Sequence, residues 1–125
     1  MWSIITRVHF DNWFEIQPNA VQEEILAVLC ILREDGPHLG RPLVDTLTGS
    51  CYCNIKELRI QVAGHPVRIC FAFDPIRRAV ILCAGNKKGQ NEKRFYKKLI
   101  KEAETEFDIL PALKGEDSYS VQTEI

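Results

Sequence analysis

Residues 57–84 read ELRIQVAGHPVRICFAFDPIRRAVILCA, and this stretch decides the fold. Glu57-Leu58-Arg59-Ile60-Gln61-Val62 alternates polar and apolar side chains, the pattern of a half-buried strand. Gly64-His65-Pro66 supplies a turn, Val67–Phe73 a second strand, Asp74-Pro75 another turn, and Ala79–Ala84 a third strand. Connections this short join antiparallel neighbours, so the segment predicts a meander.

The period changes on either side. Upstream, Gly36–Ser50 is punctuated by Gly36, Pro37, Gly40, Pro42 and Gly49 and reads as a loop. Before it, Val21, Ile25, Val28, Leu29 and Leu32 form one helical stripe, predicting a helix over Asn19–Glu34. Asn19 with Gln22 fits a capping box after Pro18, and Asp35-Gly36-Pro37 stops the helix. His9–Glu15 reads as a shorter helix and Trp2–Thr6 as a first strand. Downstream, Asn86–Gln90 is a polar loop, and Phe95, Leu99, Ile100 and Ala103 mark a helix over Arg94–Glu106. The predicted class is α+β: an N-terminal strand and a helical hairpin packed on a small antiparallel sheet, with a C-terminal helix. Residues 1–107 make a single domain, and 108–125 are expected to be a mobile acidic tail.

A chain of 125 residues can bury one core without disulfides or metals. No apolar run approaches the ~18 residues of a membrane span, and the start lacks the layout of a signal peptide. A cytoplasmic protein without membrane association is the expectation. The five cysteines, Cys30, Cys51, Cys53, Cys70 and Cys83, are odd in number and include no C-x-x-C pair. Neither a metal site nor a cofactor is expected from them.

The net charge of −1 conceals a strong asymmetry. Residues 1–55 carry −4 and residues 102–125 carry −6, whereas residues 56–101 hold twelve cations against Glu57, Asp74 and Glu92, a block of +9. Solubility alone does not require such a block; a polyanionic partner does. Strand alternation places Glu57 and Arg59 on the solvent face, opposite Leu58 and Ile60. Arg68, between Val67 and Ile69, is costly there unless paired or exposed. It reads either as a structural partner of Glu57 or Asp74, or as a fork for phosphate. The run from Asn86 to Lys98 holds Lys87, Lys88, Lys93, Arg94, Lys97 and Lys98 around Phe95 and Tyr96. Such a run is either a solvated helix face or an RNA-binding surface, where rings stack on bases and cations hold phosphates. His9, His38 and His65 have no nucleophile motif beside them, there is no glycine-rich nucleotide loop, and carboxylates are scarce in the basic half. Metal-free phosphoryl chemistry is the enzyme class that remains.

Several phrases resemble the RelE/ParE/HigB toxin superfamily, and its phage-associated, HigB-related branch in particular. They are Leu47-Thr48-Gly49, Asn54-Ile55-Lys56-Glu57-Leu58-Arg59, Arg68-Ile69-Cys70-Phe71-Ala72-Phe73-Asp74-Pro75, Asn86-Lys87-Lys88-Gly89 and Arg94-Phe95-Tyr96, in that order. The resemblance covers residues 43–107 and implies the toxin of a type II toxin-antitoxin system. Such a toxin cleaves mRNA on the ribosome without a metal, using the RNA 2′-hydroxyl as nucleophile. Its partners would be the ribosome, mRNA and a helix-turn-helix antitoxin. It also implies roles: Arg68 and Arg94 as phosphate-stabilising cations, Tyr96 in proton transfer, and Lys56, Arg59, Lys87, Lys88, Lys93 and Lys97 as RNA contacts. Where the family alternates lysines on the second strand, this chain has Glu57, with Lys56 on the opposite parity. Glu57, Lys56 and Tyr96 all stand as candidates for the base. ParE-like members of the superfamily bind gyrase and cleave nothing, so a non-catalytic toxin is the alternative, and a non-toxic RNA-binding module is a third reading.

Overall fold

The computed structural model describes residues 1–114. Its elements are β1 (Ser3–Thr6), α1 (Val8–Glu15), α2 (Asn19–Asp35), a single 3-10 turn at Gly36–His38, β2 (Val44–Thr46), β3 (Lys56–Val62), β4 (His65–Phe73), β5 (Arg78–Asn86), α3 (Glu92–Asp108) and α4 (Pro111–Lys114). The five strands form one sheet in the order β1-β5-β4-β3-β2. The class is α+β, as the sequence predicts, and β3, β4 and β5 form the expected antiparallel meander.

Helices cover both faces of that sheet. On one side α1 and α2 bring Phe10, Val21, Ile25, Val28 and Leu32 against Leu58, Ile60, Ile69, Phe71 and Ile81. On the other, α3 and α4 bring Phe95, Leu99, Ala103, Phe107 and Leu113 against Cys70, Ala72, Val80 and Leu82. Burial on both faces is why β4 and β5 read as nearly continuous apolar runs, whereas β3 keeps its alternation.

Several expectations are corrected. The sheet is mixed, because β1 pairs parallel to β5 with Ser3 opposite Arg78. The hairpin α1–α2 carries the chain away from β1 before the meander begins, so β1 is left at the far edge. The loop from Gly36 to Ser50 contains β2, whose three residues are too few to show a period. The first tight turn is Ala63-Gly64, with φ of 50° and 78°. Two adjacent residues at positive φ make a hairpin turn that matches strand twist, so His65 and Pro66 already belong to β4. Pro18, not Asn19, caps α2, and no side chain caps it. Gln22 instead donates through Nε2 to the Phe14 carbonyl at 2.8 Å, closing the turn from α1. At the other end of α2, a Cβ on Gly36 would lie 2.3 Å from the Trp2 indole, so only glycine fits there. α3 runs on to Asp108, and α4 follows with Leu113 buried. Within the expected tail Leu110 and Leu113 pack against the core under α3, and 115–125 lie outside the described residues. No helix among the described residues is long and apolar enough to cross a membrane.

Candidate functional site: a cationic cleft around Glu57

Arg59 on β3 sits directly opposite Arg68 on β4. Like charges facing each other across a ladder repel, so something must compensate them. Glu57 does, two residues before Arg59 on the same face. Its Oε1 accepts from Arg59 Nε at 3.0 Å and from the Tyr96 hydroxyl at 2.9 Å, and lies 3.6 Å from Arg68 Nε. Arg68 Nε also donates to the Tyr96 oxygen at 3.0 Å. One carboxylate oxygen thus anchors two guanidiniums and a phenol.

The sequence-based expectation of a solvent-facing Glu57 is wrong: it is 2% exposed. Alternation assigns it the correct side of β3, but α3 roofs that end of the strand and lowers Tyr96 onto it. A carboxylate buried this deeply is costly unless it is paired, and here Oε1 alone meets two guanidiniums and a phenol. Of the two structural partners expected for Arg68, Glu57 is the one found. Asp74 instead accepts from Arg78 Nε at 2.5 Å and from the amides of Ile76 and Arg78, holding the β4–β5 turn.

Glu57, Arg59, Arg68 and Tyr96 line an open cleft of about 380 Å³, together with Thr48, Lys87 and Glu92. Each comes from a different local cause. Asn91 caps α3, its side chain accepting from the Arg94 amide at 3.0 Å. That start sets the helical phase so that Glu92 and Tyr96, four apart, share one face and Phe95 enters the core. Lys87 leaves β5 tied by its amide to the Pro66 carbonyl at 2.8 Å, and its ammonium meets Glu92 at 2.7 Å, over the edge of the cleft. The Lys87 contact holds Glu92 below its usual value. Burial and the hydrogen bond to Glu57 push the Tyr96 phenol up, against the opposing pull of Arg68. Arg59 is pushed up by its contact with Glu57. Arg68 donates through Nη1 to the Val67 carbonyl. Its Nη2 has no partner among the described residues.

The structure brings together five of the expected site residues: Arg68, Tyr96, Glu57, Arg59 and Lys87. Lys56 shares the parity of Leu58 and Ile60, on the α2 side of the sheet, and does not reach the cleft. Lys88, Lys93, Arg94 and Lys97 are exposed and do not line it; Arg94, two residues from both Glu92 and Tyr96, faces away from it on α3. Thr48 and Glu92 were missed as cleft residues. Thr48 had a signal in the Leu47-Thr48-Gly49 phrase; Glu92 had one only through its spacing from Tyr96.

The model of phage-derived Gp49-like proteins (DUF891) matches residues 12–108, and the chain is a member of that family. Among curated relatives it is 45% identical over 96 residues to the putative toxin HigB2 of Mycobacterium tuberculosis, covering 76% of this chain and 47% of that protein. It is 39% identical over 94 residues to the putative toxin HigB3 of the same organism, covering 75% of this chain and 80% of that one. The chain thus spans about half the length of the first of these relatives. The crystal structure of the isolated E. coli RelE toxin is similar with a TM-score of 0.49 and 11% identity, over 81% of this chain and 97% of that one.

Proposed function

We propose that the protein is the toxin of a toxin-antitoxin system, that it cleaves mRNA on the ribosome, and that a helix-turn-helix antitoxin holds it inactive. The relatives named as putative toxins support the toxin reading. The observation that carries the chemistry is the contact of Tyr96 and Arg68 over a buried Glu57. Cleavage by 2′-hydroxyl attack needs a proton acceptor at the 2′-oxygen and cations at the charged phosphorane. Arg68 presents its unpartnered Nη2 to the phosphate, with Arg59 and Lys87 beside it.

Tyr96 already donates to Glu57, so its oxygen lone pairs face Arg68 and the cleft. A relay follows. The 2′-hydroxyl passes its proton to the Tyr96 oxygen as the Tyr96 proton moves to Glu57 Oε1. The 2′-oxygen bonds to phosphorus, the bond to the 5′-oxygen breaks, and that oxygen takes a proton from solvent in the open cleft. The products are a 2′,3′-cyclic phosphate and a 5′-hydroxyl. No free phenolate forms, in keeping with a phenol whose value is pushed up. Lys56, on the other side of the sheet, takes no part. Arg94, on the side of α3 away from Glu92 and Tyr96, takes no part in the step, and Lys87 is the third cation at the phosphate.

The test is induced expression with mapping of mRNA ends, backed by cleavage in a purified translation reaction. Cuts with 5′-hydroxyl ends within translated codons are expected. Growth arrest with intact mRNA and inhibited gyrase would refute the nuclease reading.

A further inference from the structure

The edge of the sheet farthest from the cleft is β1. Ser3 donates its amide to the Arg77 carbonyl and Arg7 to the Ile81 carbonyl. Residues at odd positions therefore turn their backbone toward β5, and Ile4 and Thr6 turn theirs outward. Among the described residues neither finds a backbone partner on that side. The strand Ser3-Ile4-Ile5-Thr6 carries neither charge nor proline, the usual devices that keep an edge from pairing. Beside it runs an open groove whose walls include Ile4, Thr6, Leu26, Leu29, Cys30 and Arg33.

We propose that this edge is an interface with a second copy of the chain: two β1 strands pair antiparallel about a two-fold axis at Ile5. The spacing of the free groups is self-matching. With the axis at Ile5, Ile4 of one copy faces Thr6 of the other and the reverse, and each pair exchanges both N–H···O bonds. Ile5 then meets its own copy across the axis, on the sheet face away from α2, where its side chain is 38% exposed. On the α2 side each Thr6 lies against the other copy's Ile4, and the two joined grooves cover Leu26, which is 53% exposed alone. Charge fits the same symmetry. Exposed Glu23 lies one turn before Leu26 on the same side of α2, and Arg33 closes the groove at the opposite end. Neither forms an ion pair among the described residues. Antiparallel pairing sets the acidic end of one helix toward the basic end of the other. The strand order keeps β5 and β4 between this edge and β3, so the interface leaves the cleft open and does not depend on what the cleft does.

Sedimentation velocity of the full chain at rising concentration tests this. The mass should climb from 14.3 kDa toward twice that value. Ile5→Lys places like charges opposite each other on the axis and should stay at 14.3 kDa throughout, with the melting midpoint of the dilute, monomeric parent and no rise with concentration. Cysteine alkylation gives a second readout. Cys30 lies in the groove, while Cys51 and Cys53 are exposed elsewhere. Cys30 should become several-fold slower to react as concentration rises, and the other two should not change. A 14.3 kDa species at every concentration would overturn the proposal, as would Ile5→Lys associating like the parent.

Discussion

Replacing Tyr96 with phenylalanine removes one oxygen and leaves the ring in place. That oxygen donates to Glu57 at 2.9 Å and accepts from Arg68 at 3.0 Å. Hydrogen bonds to charged groups contribute roughly 1.5–3 kcal/mol each. The site is half open, and Arg59 still holds Glu57 at 3.0 Å, so the two losses do not add in full. A net destabilisation of about 1–2 kcal/mol is expected, a drop in melting midpoint of roughly 4 °C per kcal/mol for a chain of this size. The effect on cleavage is larger. A positioned proton-transfer group contributes ~10²–10⁴ in rate, and the variant loses the relay altogether. Single-turnover cleavage of ribosome-bound mRNA should fall at least ~100-fold, equivalent to about 2.7 kcal/mol of barrier. Circular dichroism at the assay temperature would show that the variant remains folded. A Tyr96→Phe protein that melts earlier but cleaves at the parent rate would refute the relay and leave Tyr96 a structural pin for Glu57 and Arg68.

Arg68→Ala should lower cleavage by ~10²–10³, the loss of one preplaced charge at the phosphorane. It should also lower the melting midpoint, because Glu57 loses a nearby cation; Arg68→Lys should recover the midpoint better than the rate, since a point charge replaces a fork. Full cleavage by Arg68→Ala would remove this residue from the mechanism. Binding to RNA or ribosomes should weaken steeply as salt rises, because phosphate neutralisation by the exposed cations of the +9 segment, Lys88, Lys93, Lys97 and Lys98 among them, releases counterions. An affinity flat between low and physiological salt would point to a protein target. The folded chain should form tyrosinate later than the urea-unfolded chain: burial and Glu57 raise Tyr96 above 10.0, and a hydrogen bond to Asp108 pushes Tyr52 up to about 12. Their folded values exceed the unfolded ones, so this stabilisation is complete below pH 10 and fades as pH rises beyond it. Ultraviolet titration and melting curves over the same range check both halves, and coincident titration of folded and unfolded chains would contradict the contacts.

Cysteine chemistry is legible only in part. The sequence lists five thiols, but not that Cys70 and Cys83 face each other across β4 and β5 in the core while Cys30, Cys51 and Cys53 reach solvent. Partner choice on a sheet depends on register, which turns and packing fix.

The stripe on α2, the alternation of β3, the double-sided runs of β4 and β5, and the +9 segment are all local in sequence, and reading them yields the class, the meander and the cationic face. Local pattern cannot say which element covers a strand. The parallel pairing of β1 with β5 joins residues some 75 positions apart, and the three residues of β2 exist as a strand only because β3 lies beside them. The same limit explains Glu57. Its parity is written in the sequence, but its burial depends on Tyr96, 39 residues away, being carried across the sheet by α3. Tertiary packing alone turns a carboxylate that alternation assigns to solvent into the anchor of two arginines and a phenol, because desolvation is a property of what lies overhead.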